Sequence, residues 1–399
     1  MDAYIYDAVR TPRGSTRKNG SLQSVDPVEL VKQLFEALEN RNEGVLAHAE
    51  DVVLGCVTQV KDQGSNIAKT AVLYADLPYS VPGLTVNRFC TSGLDAVAIA
   101  ANQVHSGSSQ LVLAGGVESV SRVPMFADEG AWFANPQISE KAKFIHMGIS
   151  ADLIATMEHQ QREDLDAYAA ESHRRAFKAT NEGVFNPSLI AVKDRNGHAL
   201  LESDELIRPN TTTATLATLS PSFERFFTPT QRQIVADDFK ELPAIVHVHH
   251  VGNSPTLADG AALVIVGSAD AQMQIGKKPV ARILGSVGIA SHPMLLLGGQ
   301  TAAEKLLTKL QVSVHDLDVI EFYEAYTSTA VKALTDWQVD PEIFNPNGGG
   351  IAMGHALGAT GAMMICTLLD ELTRKNGKLG LVALSGGGGV GTAMIIEKL

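Results

Sequence analysis

The sequence predicts a layered α/β fold of two similar halves with a further segment set between them. Three observations carry this reading: short apolar runs alternate with helix-like segments, one motif pattern occurs twice, and the texture changes between Ser121 and His250. The first β-rich runs are residues 4–9, 51–55, 111–116 and 261–266, and the later half repeats them at 279–284, 317–322, 379–384 and 391–396. Apolar runs of this length without clean alternation suit strands covered on both faces. Asp26 before Pro27 places a cap and then a proline at the first helical position. Thr301 and Glu304 have capping-box spacing, which predicts a helix start just before residues 305–310.

The duplicated pattern is specific in content. Cys90-Thr91-Ser92-Gly93-Leu94-Asp95-Ala96 leads a small-residue helix and then the strand at 111–116. His355-Ala356-Leu357-Gly358-Ala359-Thr360-Gly361 leads another apolar helix and then a strand ending in Ser385 and Gly386. Two copies of one unit would set a cysteine and a histidine at facing helix N-termini. Between the halves the charge rises at Gln161-Arg162-Glu163-Asp164, Thr211-Thr212-Thr213 reads as a polar loop, and Pro209, Pro221 and Pro229 punctuate the chain. Such an insertion resting on a core is a common substrate cover.

Composition narrows the function classes. A chain of 399 residues with 45% hydrophobic and 19% charged residues can bury two or three packed units and is not disordered. Lys plus Arg number 32 against 44 Asp plus Glu, a net charge of −12 with no long basic run, which disfavours nucleic acid and anionic membranes as partners. No apolar stretch approaches the roughly 18 residues that span a bilayer. The N-terminus lacks the pattern of a secretory signal, and three cysteines suit a reducing compartment, so a cytoplasmic protein is expected.

Cys56 and Cys366 sit in apolar runs and read as inert core thiols, whereas Cys90 falls where a strand hands over to a helix. Helix N–H groups, the dipole and Arg88 would favour a thiolate there, so Cys90 is either a nucleophile or a buried structural thiol. His355 follows the glycine-rich segment 347–354 and is either a helix-capping residue or a base and oxyanion donor. The Ser385-Gly386-Gly387 turn has free N–H groups suited to an oxyanion hole or a phosphate, but it lacks the lysine of a phosphate-binding P-loop. Glu324 ends a predicted strand, either orienting a catalytic group or serving as a solvated or capping carboxylate. His247 and His249 should share one face, yet no further ligand follows at metal spacing, and no metal site is expected.

Taken together, these segments resemble the thiolases, the 3-ketoacyl-CoA and acetoacetyl-CoA acyltransferases. The likeness runs nearly end to end through Thr11-Pro12-Arg13-Gly14, Asn87-Arg88-Phe89-Cys90-Thr91-Ser92-Gly93, Gly115-Gly116-Val117-Glu118-Ser119, His146-Met147-Gly148, Gly252-Asn253-Ser254 and Asp259-Gly260 to the glycine–histidine block 347–361. The resemblance implies a duplicated five-layered αβαβα fold with an inserted loop domain. It divides the chain into residues 1–120 with 251–275, a cover at 121–250, and 276–399. It implies Cys90 as the acyl-carrying nucleophile, His355 as its base and an enolate-hole donor, and Gly387 as an oxyanion N–H. Ser385 falls at the position of the family's second cysteine and Tyr323 at that of its water-holding asparagine. His146, Met147, Ser254, Ala325 and Tyr326 fall where the coenzyme A ester is bound.

Coenzyme A and its esters would be substrates, with no tightly bound cofactor. A homodimer or homotetramer is expected, and a fatty-acid oxidation partner subunit is a further expectation. The sequence departs from the family pattern at Ser385, a far weaker acid than a thiol of pKa about 8.5, at Tyr323, at Ala356, at Pro255-Thr256 and at Gly299-Gln300-Thr301-Ala302. The first reading is therefore a thiolase-type acyltransferase. Alternatives are an altered enzyme that transfers, hydrolyses or condenses with decarboxylation, and a non-catalytic acyl-CoA-binding subunit.

Overall fold

Nine strands and eight helices position the site in the computed structural model, which describes residues 1–242 and 244–399. The first half runs β1 (Ala3–Arg10), α1 (Pro27–Arg41), β2 (Asp51–Gly55), α2 (Ile67–Tyr74), β3 (Leu84–Val86), α3 (Ser92–Ser106) and β4 (Leu111–Glu118). The inserted segment contributes α4 (Met147–Met157) and α5 (Arg162–Asn181). The chain continues through β5 (Ala258–Gly267), β6 (Ala281–Ala290), α6 (Gly298–Leu310), β7 (Val319–Phe322), α7 (Thr327–Trp337), α8 (Thr360–Lys375), β8 (Leu379–Ser385) and β9 (Val390–Lys398).

The strand order is β7-β8-β9-β6-β1-β5-β4-β2-β3. Outward from β1, the first half adds β5 and β4 antiparallel, then β2 and β3 parallel. Outward from β6, the second half adds β9 and β8 antiparallel, then β7 parallel and a parallel bridge from Ile320 to Phe344. The two halves therefore carry one pairing pattern, which is the duplication anticipated from the motif echo. They also join edge to edge, because Ala3, Tyr4 and Ile5 of β1 pair with Ile283, Arg282 and Ala281 of β6. The sequence motifs contained no sign of that junction.

Period-2 geometry then builds the layers. Val53, Val112 and Val264 of the first half face an inner core with Val319, Val382 and Leu384 of the second, and α3 and α8 fill the space between through Leu94, Val97, Ile365 and Leu368. The alternate residues Val52, Leu54 and Leu113 face outward to Leu30 and Leu34 of α1 and Ile67 of α2. Ile320, Phe322 and Leu381 face outward to Leu306 of α6 and Ala333 and Trp337 of α7. The result is five layers, with the near-continuous apolar strands explained by cover on both faces.

Several local expectations need correction. Asp26 does precede a helix with Pro27 at its start, but its carboxylate accepts from Arg122 at 2.6 Å and makes no side-chain cap. Thr301 does not cap a helix: α6 already begins at Gly298, and the Thr301 hydroxyl donates back to Leu297 O at 3.1 Å. Thr212 lies not in a loop but at the cap of the short helix Thr213–Ala217, in a capping box with Thr215. The strand expected ahead of Cys90 is the short edge strand β3, which ends at Val86, three residues before Phe89. Among the described residues, no helix is long and apolar enough to cross a membrane.

The tightest contact between the halves is the peptide of Gly358. Its carbonyl oxygen would lie 2.7, 2.5 and 2.2 Å from a Cβ placed on Gly55, Gly93 and Gly116. Its N–H donates to the buried Glu118 carboxylate at 3.0 Å. Only glycine permits so close a backbone approach at these three positions. Gly116→Ala is expected to cost about 3 kcal/mol, the upper end for overpacking, or to prevent folding. Urea unfolding measures this, and a loss below about 1 kcal/mol would show that the seam can relax.

Candidate active site

Cys90 stands between β3 and α3 on a strained turn. Phe89 before it adopts φ +51, the left-handed region a non-glycine residue occupies at a cost of about 1–2 kcal/mol. That turn is held by its own hydrogen bonds: Phe89 N–H donates to Asn87 Oδ1 at 2.8 Å, the Ser92 hydroxyl donates to Phe89 O at 2.6 Å, and Arg88 N–H donates to Ser92 Oγ at 2.8 Å. His355 arrives from the other half. Its N–H donates to Thr256 O at 2.8 Å and its carbonyl accepts from Ala258 N–H at 2.9 Å, so β5 and the glycine-rich segment are laced together at the histidine.

A cavity of about 230 Å³ opens at this seam, and its wall includes Cys90, His355, Ser385, Tyr323, Gly387, His146, Met147, Ala325 and Tyr326. These are nine of the ten residues singled out in the sequence. Ser254 is the exception: it is buried, donates weakly to Asn253 Oδ1 at 3.5 Å, and leaves the cavity wall to its neighbour Pro255. Met125, Phe223, Leu257, Leu296 and Leu357 complete the wall and were not anticipated. Phe223 lies in the charged insertion, where three phenylalanines within five residues, Phe223, Phe226 and Phe227, were the available signal.

Electrostatics at Cys90 differ from the expectation of a ready thiolate. Burial pushes its thiol up to about 12, partly offset by the backbone N–H groups of Gly387 and of Cys90 itself. Arg88 does not assist, because its guanidinium is paired with Asp95. The helix dipole is likewise outweighed by desolvation. Cys56 and Cys366 are buried and their thiols are pushed higher still, first by burial and then by Glu118 and Asp370 respectively.

His355 is the complement. Burial, and then the charge of Arg13, lower its pKa to about 3, so the ring is neutral at physiological pH. Its Nδ1 lies 2.8 Å from Thr360 Oγ1, while its Nε2 is buried and has no hydrogen-bond partner among the described residues. It does not open α8 directly, since the turn Leu357–Ala359 intervenes. The Tyr323 ring lies 4.6 Å from the imidazole, and burial, then the Cys90 charge, push its phenol far above its usual range. Ser385 ends β8 with its Oγ accepting from Gly299 N–H at 2.9 Å.

The remaining groups take structural places. Glu324 is not solvated: it is fully buried and accepts from Tyr168 Oη at 2.8 Å, Ser172 Oγ at 3.0 Å and Ile351 N–H at 2.9 Å, bracing the segment that delivers His355. His146 caps α4 through Nδ1, which accepts from Gly148 N–H at 3.1 Å, and stacks on Phe226 at 4.4 Å. Burial, then Arg225, lower its pKa to about 4. His247 and His249 do share a face, each with Nδ1 at 2.7 Å from the Asp152 carboxylate, and His250 Nε2 is 2.9 Å from Asp166 Oδ1. These imidazoles tie the end of the insertion to its own α4 and α5.

A duplicated five-layered fold with a cysteine and a neutral histidine across one seam cavity defines a class of acyl-transferring enzyme. Residues 3–237 match the family model of the thiolase N-terminal domain, and residues 277–398 that of the thiolase C-terminal domain. The chain is 37% identical to the beta-ketoadipyl-CoA thiolase of Pseudomonas aeruginosa over 420 residues, covering 100% of this chain and 99% of that one. It is 37% identical to a 3-ketoacyl-CoA thiolase of Escherichia coli over 406 residues, covering 99% of each. The solved acetyl-CoA acetyltransferase of Bacillus anthracis superposes with a TM-score of 0.84 at 30% identity, covering 100% of this chain and 99% of that one. The chain belongs to the thiolase family and is an acyl-CoA acyltransferase of that type.

The thiol settings generate a direct expectation. Iodoacetamide should label Cys90 at least about tenfold faster than Cys56 or Cys366, as read by mass spectrometry of timed digests, because Cys90 alone of the three lines the cavity. Equal labelling of all three would contradict the placement.

Proposed function

We propose that the enzyme cleaves 3-ketoacyl-CoA with coenzyme A through an acyl thioester on Cys90, and condenses acyl-CoAs in reverse. The observation that carries this reading is the unpartnered His355 Nε2 in the wall shared with Cys90, whose ionised form the N–H groups of Gly387 and Cys90 would favour. A thiol held near 12 does not ionise alone, so it reacts by passing its proton to a neutral base as it attacks. His355 is that base. The Cys90 sulfur adds to the 3-keto carbon, and the resulting oxyanion lies against the two N–H groups. Cleavage of the bond between C2 and C3 leaves the acyl group on Cys90 and releases the acetyl-CoA enolate. The enolate takes up a proton equivalent to the one His355 received from Cys90, by way of the group at Ser385, which leaves the imidazole neutral again. The thiol of a second coenzyme A, deprotonated by His355, then removes the acyl group.

The enolate step is where this chain differs from its family. Ser385 replaces a thiol with a hydroxyl, a much weaker acid. Tyr323 brings a phenol that burial keeps un-ionised, a hydrogen-bond donor suited to the enolate oxygen rather than a proton source. His146, Met147, Ala325 and Tyr326 line the same cavity and are the proposed contacts for the coenzyme A ester. Ser254 loses that role to Pro255.

Thiolysis of acetoacetyl-CoA and of a long-chain 3-ketoacyl-CoA tests the reading. Turnover should vanish in Cys90→Ala, and Ser385→Cys should raise kcat about tenfold or more by restoring a thiol acid. Turnover that survives Cys90→Ala would overturn the covalent route. No gain from Ser385→Cys would show that the enolate takes its proton elsewhere.

A further inference from the structure

A small chamber of about 10 Å³ is walled by Arg13, Glu321, Tyr323, Thr360 and Thr367, among others. This is the volume of one water. Its polar groups are fully buried, and two of their atoms, Glu321 Oε1 and Arg13 Nε, have no hydrogen-bond partner among the described residues. Thr367 Oγ1 satisfies the other Glu321 oxygen at 3.2 Å. Thr360 is also the residue bonded to His355 Nδ1. A carboxylic acid and the hydroxyl that bonds the His355 imidazole thus line one water-sized space.

We propose that one water in this chamber links Glu321 to Thr360, making Glu321 a positioning residue that selects the tautomer of His355. The inference rests on the reading of His355 as the base for Cys90. Every link is a hydrogen bond with a direction. When Glu321 is ionised, its oxygen accepts from the water, the water accepts from Thr360 Oγ1, and Thr360 accepts from His355 Nδ1–H. Nε2 then presents a lone pair to the substrate cavity and serves as base. When Glu321 is protonated it donates to the water, the chain reverses, Thr360 donates to Nδ1, and Nε2 carries the hydrogen and serves as an oxyanion donor. Reversal passes one proton from Nδ1 through Thr360 and the water to Glu321 while Nε2 takes one from solvent in the substrate cavity, so the two states differ by the single proton that titrates with pH. Arg13 Nε–H donates to the water in both states.

The chamber also sets where the switch falls. Burial, then the charges of Glu371 and Glu324, raise Glu321 against the opposing Thr367 hydrogen bond and Arg13 charge, to about 8. Arg13 is the charged group that acts on His355 itself. Glu321 is therefore protonated below about pH 8 and ionised above it, so the base-competent tautomer gains as pH rises through that value.

Two measurements on the full chain test this. In single-turnover acylation of Cys90 by acetyl-CoA, the wild-type rate should rise about tenfold between pH 6.5 and pH 9. Glu321→Gln, which mimics the protonated acid, should match the wild type at pH 6.5 and lose the rise. Thr360→Ala should lose it too, and Thr360→Ser should restore it. Independently of turnover, 15N NMR of labelled His355 should show hydrogen moving from Nε2 to Nδ1 over the same range in the wild type and not in Glu321→Gln. An identical pH profile and an unchanged tautomer in Glu321→Gln would overturn the relay. Loss of acylation in Cys90→Ala would still stand in that case, which separates failure of the relay from failure of the covalent route.

Discussion

The peptide of Gly358 is the constraint on which the site depends. It belongs to the second half of the chain, yet its oxygen is enclosed by Gly55, Gly93 and Gly116 of the first and its N–H by Glu118. Three residues earlier stands His355, and three residues before Gly93 stands Cys90. Fixing one peptide of one half among backbone atoms of the other therefore fixes the two reactive side chains to a common frame. Glu118 also accepts from Val57 N–H at 2.9 Å and Thr58 N–H at 3.0 Å, so the carboxylate gathers three backbone donors at the junction. Burial raises its pKa, and those donors oppose the rise.

A seam so dry has chemical consequences. Desolvation dominates every titratable group near it: it pushes the Cys90 thiol and the Tyr323 phenol up and the His355 imidazole down. All three are neutral at rest. This favours an acyl-transfer site in which charge appears only as the reaction proceeds, met by the N–H groups of Gly387 and Cys90. It also explains why sequence logic about helix dipoles gave the wrong sign for Cys90. The dipole is worth about 0.3–1 kcal/mol near a surface, and burial acts in the opposite direction and outweighs it at this thiol.

Much of the framework was legible because it follows from local rules. Runs such as residues 52–55 and 111–116 are uniformly apolar, since alternate residues serve two cores, and the paired Cys90 and His355 segments announce the duplication. What was hidden depends on distant partners. Thr301 has the spacing of a capping box, yet the backbone already turns helical at Gly298 because the Gly299 N–H meets Ser385 Oγ. Ser254 and Pro255 are neighbours in sequence, and which one faces the cavity is decided by packing of the insertion. The partners of Glu324 lie 21 to 156 residues away in sequence, at Asn345, Ile351, Ser172 and Tyr168. No window along the chain reveals that shell, so the sequence left Glu324 open between an orienting carboxylate and a solvated or capping one.

The central claim is that the Gly358 junction holds Cys90 and His355 as one unit, and a double-mutant cycle on Cys90 alkylation tests it most directly. The variants are Glu118→Gln, His355→Ala and the pair, each checked for a native melting transition. Charge alone argues that removing Glu118 eases thiolate formation, because its charge raises the Cys90 pKa. The account instead predicts that Glu118→Gln slows alkylation at pH 7 about tenfold, with little further loss on adding His355→Ala, since both act through the same imidazole. Faster alkylation in Glu118→Gln, or losses that multiply in the double variant, would contradict it.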